Sequence, residues 1–161
     1  MSNTQESKIQ AEYITKCSEL IQEKYISSPS FFIQNAGCQM NSLQTETVSG
    51  IMKQIGYQEV DKEEYADVVI YNTCTVRENA NQKIYGHLGH LKSIKKHKPE
   101  MKIVLFGCMM QEPEVIDKIR KDYGFVDLVF GTHNFHKFPE LFFRSLNTNG
   151  QIIDIWKESD E

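Results

Sequence analysis

Apolar residues along this chain follow two patterns in alternation. Short runs without period-two spacing occur at Phe31-Phe32-Ile33, Val68–Tyr71, Ile103–Phe106 and Val126–Phe130. Such runs suit strands buried on both faces of a parallel sheet. Between them the spacing becomes helical. Val48, Ile51, Met52 and Ile55 mark one helix, which Asn41 or Ser42 can cap and Gly56 ends. Ala80, Ile84, Leu88, Leu91 and Ile94 mark a second, opened by a Thr75-to-Glu78 capping box and stopped by Pro99. Val115, Ile116 and Ile119 mark a third, with Pro113 in its first turn and Tyr123-Gly124 at its close. A further helix is expected from about Lys137 to Leu146, and a last strand over Ile152–Trp156. The charged connection from Tyr57 to Ala66 has room for a short edge element. The predicted fold is α/β: a doubly wound, mostly parallel sheet of four to five strands with helices on both faces.

Ahead of this pattern, Ile9, Tyr13, Ile14, Cys17, Leu20 and Ile21 predict an extra N-terminal helix from Lys8 to Tyr25. Residues 1–7 are polar and expected to be poorly ordered. The division expected is a helical extension over 1–29, the α/β domain over 30–146 and a tail over 147–161.

Composition adds exclusions. The net charge of −4 gives no global attraction to nucleic acid. No apolar run approaches the ~20 residues of a membrane helix, and the first residues lack the apolar core of a signal peptide. The expected compartment is the cytoplasm, where thiols stay reduced. Neither G-x-x-x-x-G-K-[ST] nor G-x-G-x-x-G occurs, so a nucleotide-binding reading lacks its phosphate cradle.

Three of the four cysteines share one position in the pattern. Cys38, Cys74 and Cys108 each follow a predicted strand closely, at intervals of 36 and 34 residues. Each interval is about one strand-helix unit. Parallel neighbouring strands would bring all three to the carboxyl edge of the sheet, where open α/β sheets bind ligands. In a reducing compartment they read as metal or cluster ligands or as reactive thiols, rather than as disulfide partners. Three thiolates can hold zinc or an iron–sulfur cluster. No C-x₂₋₄-C pair of a structural zinc site is present. A [4Fe–4S] cubane on three cysteines leaves one iron open to an external ligand. Gly37 and Gly107, each directly before a cysteine, allow close backbone approach to a bulky group. Asn35, Gln39 and Asn72 could donate hydrogen bonds to cluster sulfurs. Cys17, on a helical stripe, reads as a packing residue. Lys92, Lys95, Lys96, His97 and Lys98 suit either the helix dipole or an RNA phosphate contact. His133 could face the site or cap the following helix.

The segments Asn35-Ala36-Gly37-Cys38-Gln39-Met40-Asn41, Asn72-Thr73-Cys74-Thr75-Val76-Arg77-Glu78-Asn79-Ala80 and Gly107-Cys108-Met109-Met110-Gln111 resemble the N-terminal domain of the radical-SAM methylthiotransferases. The resemblance covers roughly Phe31 to Leu141. Gly37-Cys38-Gln39-Met40-Asn41 and Phe130-Gly131-Thr132-His133-Asn134 look like the branch acting on isopentenyladenosine in tRNA. The resemblance implies an auxiliary [4Fe–4S] cluster on Cys38, Cys74 and Cys108 that supplies sulfur. It also implies S-adenosyl-L-methionine, a second [4Fe–4S] cluster in a radical-SAM domain, a tRNA substrate and no membrane. The product would carry a methylthio group at C2 of N6-isopentenyladenosine beside the anticodon.

This sequence departs from the whole-enzyme pattern in two respects. The C-x₃-C-x₂-C motif of the radical domain is absent, and so is any C-terminal RNA-binding domain. The chain is therefore expected to be an N-terminal fragment that binds a cluster and is inactive alone, with no catalytic residue of its own. The alternative class is a non-enzymatic iron–sulfur carrier or electron-transfer module. A third reading is a flavodoxin-like binding domain with structural cysteines.

Overall fold

The computed structural model describes residues 3–36, 42–73 and 78–155. Helix α1 (Asn3–Lys24) precedes strand β1 (Ser30–Ala36), helix α2 (Ser42–Ile55) and strand β2 (Gln58–Glu59). Strand β3 (Val68–Thr73), helix α3 (Glu78–His97) and strand β4 (Lys102–Gly107) form the next unit. A 3-10 turn over Cys108–Gln111 leads to α4 (Pro113–Asp122) and β5 (Leu128–Phe130). A second such turn, Thr132–Lys137, leads to α5 (Phe138–Leu146) and β6 (Ile152–Asp154).

The strands form one sheet in the order β2-β1-β3-β4-β5-β6, and every neighbouring pair is parallel. Six strands stand among the described residues, against the four to five expected. β2 pairs through only two residues, Ser30 with Gln58 and Phe31 with Glu59, which accounts for its weak signal.

The unbroken apolar runs have the predicted cause. Along β3 successive side chains feed opposite cores: Val68 and Ile70 one, Val69 and Tyr71 the other. Val104 and Phe106 alternate with Ile103 and Leu105 in the same way on β4. One core is closed by Val48, Met52 and Ile55 of α2 and by Phe138, Leu141 and Phe142 of α5. The other is closed by Ile84, Leu88 and Leu91 of α3 and by Val115, Ile116 and Ile119 of α4. Helices therefore cover both faces. The chain leaves β1 toward one face and β3 toward the other, so the winding reverses between these adjacent strands. Ligands of open α/β folds bind in the crevice outside such a reversal.

α1 is no loose extension. Its Cys17 and Ile21 are buried in the core shared with α2 and α5. The expected disorder of residues 1–7 is corrected for the described part, since α1 begins at Asn3. Gln10 explains the difference. Its amide donates to Glu6 Oε1 at 2.9 Å and accepts from the Glu140 N–H at 3.1 Å, tying the polar start of α1 to α5.

At the amino edge of the sheet, Asp127 receives Lys95 Nζ at 2.6 Å and the Ile103 N–H at 2.9 Å through Oδ2. Lys102 Nζ lies 3.8 Å from its other oxygen.

Candidate metal centre

The carboxyl edge is organised by register. Ala36, Thr73 and Gly107 are Cα partners across β1, β3 and β4. Cys38 follows Ala36 by two residues, Cys74 follows Thr73 by one and Cys108 follows Gly107 by one. Cys38 and Cys74 lie outside the described residues, as do Gly37, Gln39 and the Thr75 cap. Cys108 is described: it is a free, half-buried thiol opening the turn after β4.

Gly107 holds a backbone conformation that other residues rarely adopt, with φ of 116°. A Cβ there would lie 2.3 Å from the Thr73 carbonyl oxygen and 2.6 Å from Asn72 Oδ1. The close approach that requires glycine is thus to the neighbouring strand. It sends the chain sharply across the end of β3 and sets the direction in which Cys108 leaves the sheet.

Below the cysteines lies a polar bridge. Asn35 and Asn72 are partners on β1 and β3. Thr45, in the first turn of α2, accepts from Asn72 Nδ2 at 3.0 Å and donates to Asn35 Oδ1. Asn72 is only 1% exposed. Thr73 Oγ1 donates to the Phe106 carbonyl at 2.8 Å, tying β3 to β4 at the same level. Sequence reasoning named both asparagines but not Thr45, whose helical position gives no sign of which strands it meets.

The described residues at this edge include the amides of Asn35 and Asn72, the Thr73 hydroxyl and Gly107. Gln111 lies against Gly131, where a Cβ would fall 1.5 Å from its Oε1. Soft thiolates suit a soft metal centre or an iron–sulfur cluster better than a hard cation. The donor set therefore fits a cluster on Cys38, Cys74 and Cys108.

Other sequence candidates take clear places. Cys17 is fully buried, its Sγ 3.8 Å from the Pro139 carbonyl oxygen, and burial pushes its thiol up to about 12. It packs against the first turn of α5. Of the basic residues ending α3, Lys95 reaches Asp127 and the Phe125 carbonyl, and Lys98 reaches the Ala66 carbonyl at 2.9 Å. Both have structural work. Near His133, the turn is pinned by Asn134 instead. Asn134 accepts from the Gly131 N–H at 3.1 Å and donates to the Asp154 carbonyl at 2.7 Å.

A model described as uncharacterized protein family UPF0004 matches residues 30–131, more than half of the chain. The chain belongs to this family. The UPF0004 match begins with the first residue of β1 and ends one residue after β5. It includes Cys38, Cys74 and Cys108 and leaves out Cys17. A relative from Lachnoclostridium phytofermentans, named tRNA-2-methylthio-N(6)-dimethylallyladenosine synthase, is 54% identical over 132 residues, covering 82% of this chain and 29% of its own length. One of the same name from Alkaliphilus oremlandii is 44% identical over 162 residues, covering 98% of this chain and 34% of its own. A third, from Clostridioides difficile, is 48% identical over 130 residues, covering 81% and 27%. The chain thus spans about a third of these relatives, in their N-terminal part. Their names agree with the resemblance read from the motifs, to the N-terminal domain of methylthiotransferases. Among the described residues no helix is long and apolar enough to cross a membrane.

Proposed function

We propose that this domain binds one auxiliary [4Fe–4S] cluster through Cys38, Cys74 and Cys108, as part of a longer radical-SAM tRNA methylthiotransferase. The carrying observation is the register of Ala36, Thr73 and Gly107. Neighbouring strands lie about 4.8 Å apart, and each residue adds at most about 3.8 Å of reach. One or two residues beyond three level, adjacent strand ends leave three thiols within reach of a single cubane. The winding reversal between β1 and β3 supports the same location, because the loops carrying Cys38 and Cys74 flank it.

The chain's own residues have assignable roles in this reading. Thr45 orients the Asn35 and Asn72 amides at the floor of the site. Gly107 aims Cys108, and Gly37 and Gln39 complete the surround. Three cysteines leave one iron free of protein ligands. When bound, the cluster supplies the sulfur transferred to C2 of N6-isopentenyladenosine beside the tRNA anticodon. The names of the relatives support that substrate. A radical-SAM domain with its own [4Fe–4S] cluster and S-adenosyl-L-methionine, and a tRNA-binding part, belong to the rest of the enzyme. Residues 1–29, 30–146 and 147–161 serve as helical extension, cluster domain and connection to the radical domain. The protein acts in the cytoplasm, and this stretch alone does not turn over.

The test is anaerobic reconstitution with iron and sulfide, read by iron content and Mössbauer spectrum. Cys38→Ala, Cys74→Ala and Cys108→Ala should each lose most of the cubane iron, and Cys17→Ala should keep it. A full, stable cubane in any of the first three would overturn the ligand set. Sulfide or methanethiol should perturb the open iron in the Mössbauer spectrum. A cluster that cycles by one electron with no ligand effect would point instead to an electron-transfer module.

A further inference from the structure

A second cluster of metal-ligating side chains lies on the α3 face, apart from the cysteine edge. Glu63 and Glu64 stand on the 3-10 turn Glu63–Tyr65 between β2 and β3, facing the middle of α3. His90 Nε2 lies 3.4 Å from Glu63 Oε1 and 3.6 Å from Glu64 Oε1. One ligand atom from each of the three residues lies within 4.8 Å of the others. We propose that Glu63, Glu64 and His90 form a binding site for one divalent transition-metal ion.

Three observations carry this. Donors of a tetrahedral ion bound at about 2.0–2.1 Å lie about 3.4 Å apart, close to the His90 separations. The Glu63 carboxylate is also fixed from behind. Its Oε2 accepts from the Tyr71 hydroxyl, which leaves Oε1 turned to His90. Ligating carboxylates are oriented in this way by hydrogen bonds from outside the ligand set. The His87 ring packs tilted against Tyr71 with ring centroids 5.3 Å apart and backs the same contact.

Charge completes the case. Two carboxylates and one imidazole nitrogen converge here, each able to offer a lone pair to one ion. Lys98, the nearby cation, is bonded to the backbone carbonyls of Glu64 and Ala66 rather than to either carboxylate. A divalent ion matches the two charges. Glu64 and His90 have side chains 50% and 54% exposed, so an ion can enter from solvent and retain water. The mixed imidazole and carboxylate donors suit zinc or manganese, in contrast to the thiols at the sheet edge.

The test counts Mn²⁺ bound to the intact 161-residue chain by loss of the free-ion electron paramagnetic resonance signal. Manganese prefers oxygen and imidazole donors, so the cysteines stay out of the count. One ion per chain is expected below about 1 mM, displaced by Zn²⁺ in keeping with the usual affinity order. Glu64→Gln and His90→Ala should each weaken binding about ten-fold or more, and His97→Ala should not. Both altered side chains are half exposed, so these variants should keep the wild-type circular dichroism and melting temperature. No binding at about 1 mM, or affinity unchanged in His90→Ala, would overturn the site. So would equal weakening by Cys108→Ala. That variant separates this proposal from the cluster assignment, since it should lose iron and leave manganese binding intact.

Discussion

Gly107 and Thr73 are partners across β4 and β3, and the Thr73 carbonyl oxygen occupies the space where a Cβ on residue 107 would stand, at 2.3 Å. Both the positive φ and the contact forbid a side chain. Gly107→Ala should destabilise the domain by more than about 1 kcal/mol. Urea unfolding measures this, and a midpoint equal to wild type would contradict the geometry. The variant should also displace Cys108, so its reconstituted iron should fall even with all three cysteines present.

Thr45→Val keeps the shape of the side chain and removes its hydroxyl. Asn72 Nδ2 then loses an acceptor and Asn35 Oδ1 a donor. Leaving such groups unsatisfied costs about 1–3 kcal/mol each. A loss in that range is expected from chemical unfolding, whereas Thr45→Ser should retain most of the stability. Equal losses in the two variants would assign the effect to the methyl group.

Cys17 should give the domain an alkaline weakness. Its pKa is raised from 9.0 to about 12 by burial. Below pH 9 both folded and unfolded chains keep the proton, so the full stability is present. Between the two values the unfolded chain releases a proton that the folded chain holds, and stability falls by about 1.4 kcal/mol per pH unit. Tyr57, also raised by burial, steepens the fall above pH 10. Unfolding free energies at pH 8.5, 9.5 and 10.5 should show a shallower slope in Cys17→Ala than in wild type. Parallel slopes would contradict the burial of the thiol.

Asp127→Ala strips the partner from Lys95 and Lys102, whose side chains are 17% and 16% exposed. Breaking a buried pair on one side costs about 3 kcal/mol or more. Lys102 is already lowered from 10.5 by burial, against the raising influence of Asp127. Loss of Asp127 lowers it further. Between its folded and unfolded pKa values the unfolded chain binds the extra proton, so stability rises with pH there. The deficit of the variant relative to wild type should therefore shrink as pH approaches 10.5. A constant deficit would assign the loss to partners of Asp127 other than Lys102.

The fold was legible where burial is two-sided. β3 and β4 declare themselves because both faces meet helices, leaving no room for alternation. β2 was legible only as room for a short edge element, because Gln58 and Glu59 are exposed and pair through only two positions. The start of α1 was hidden because its order comes from Gln10 reaching Glu140, 130 residues away. At the site, the common phase of three cysteines could be counted from the sequence. The reason for Gly107, the part played by Thr45 and the convergence of Glu63 and Glu64 on His90 could not. Each depends on a neighbour supplied by another element. Asn134 shows the same limit: beside the more conspicuous His133, it carries the bonds that hold the turn.

The burial of α1 separates two kinds of boundary. The family match starts at Ser30, yet Cys17 and Ile21 close the core over α2 and α5. A chain started at Ser30 would present Val48, Met52 and Phe142 to water. The smallest autonomous piece of this protein is therefore larger than the segment the family model matches. Trimming it to the aligned segment would yield a protein that sticks to itself before it could be tested for iron.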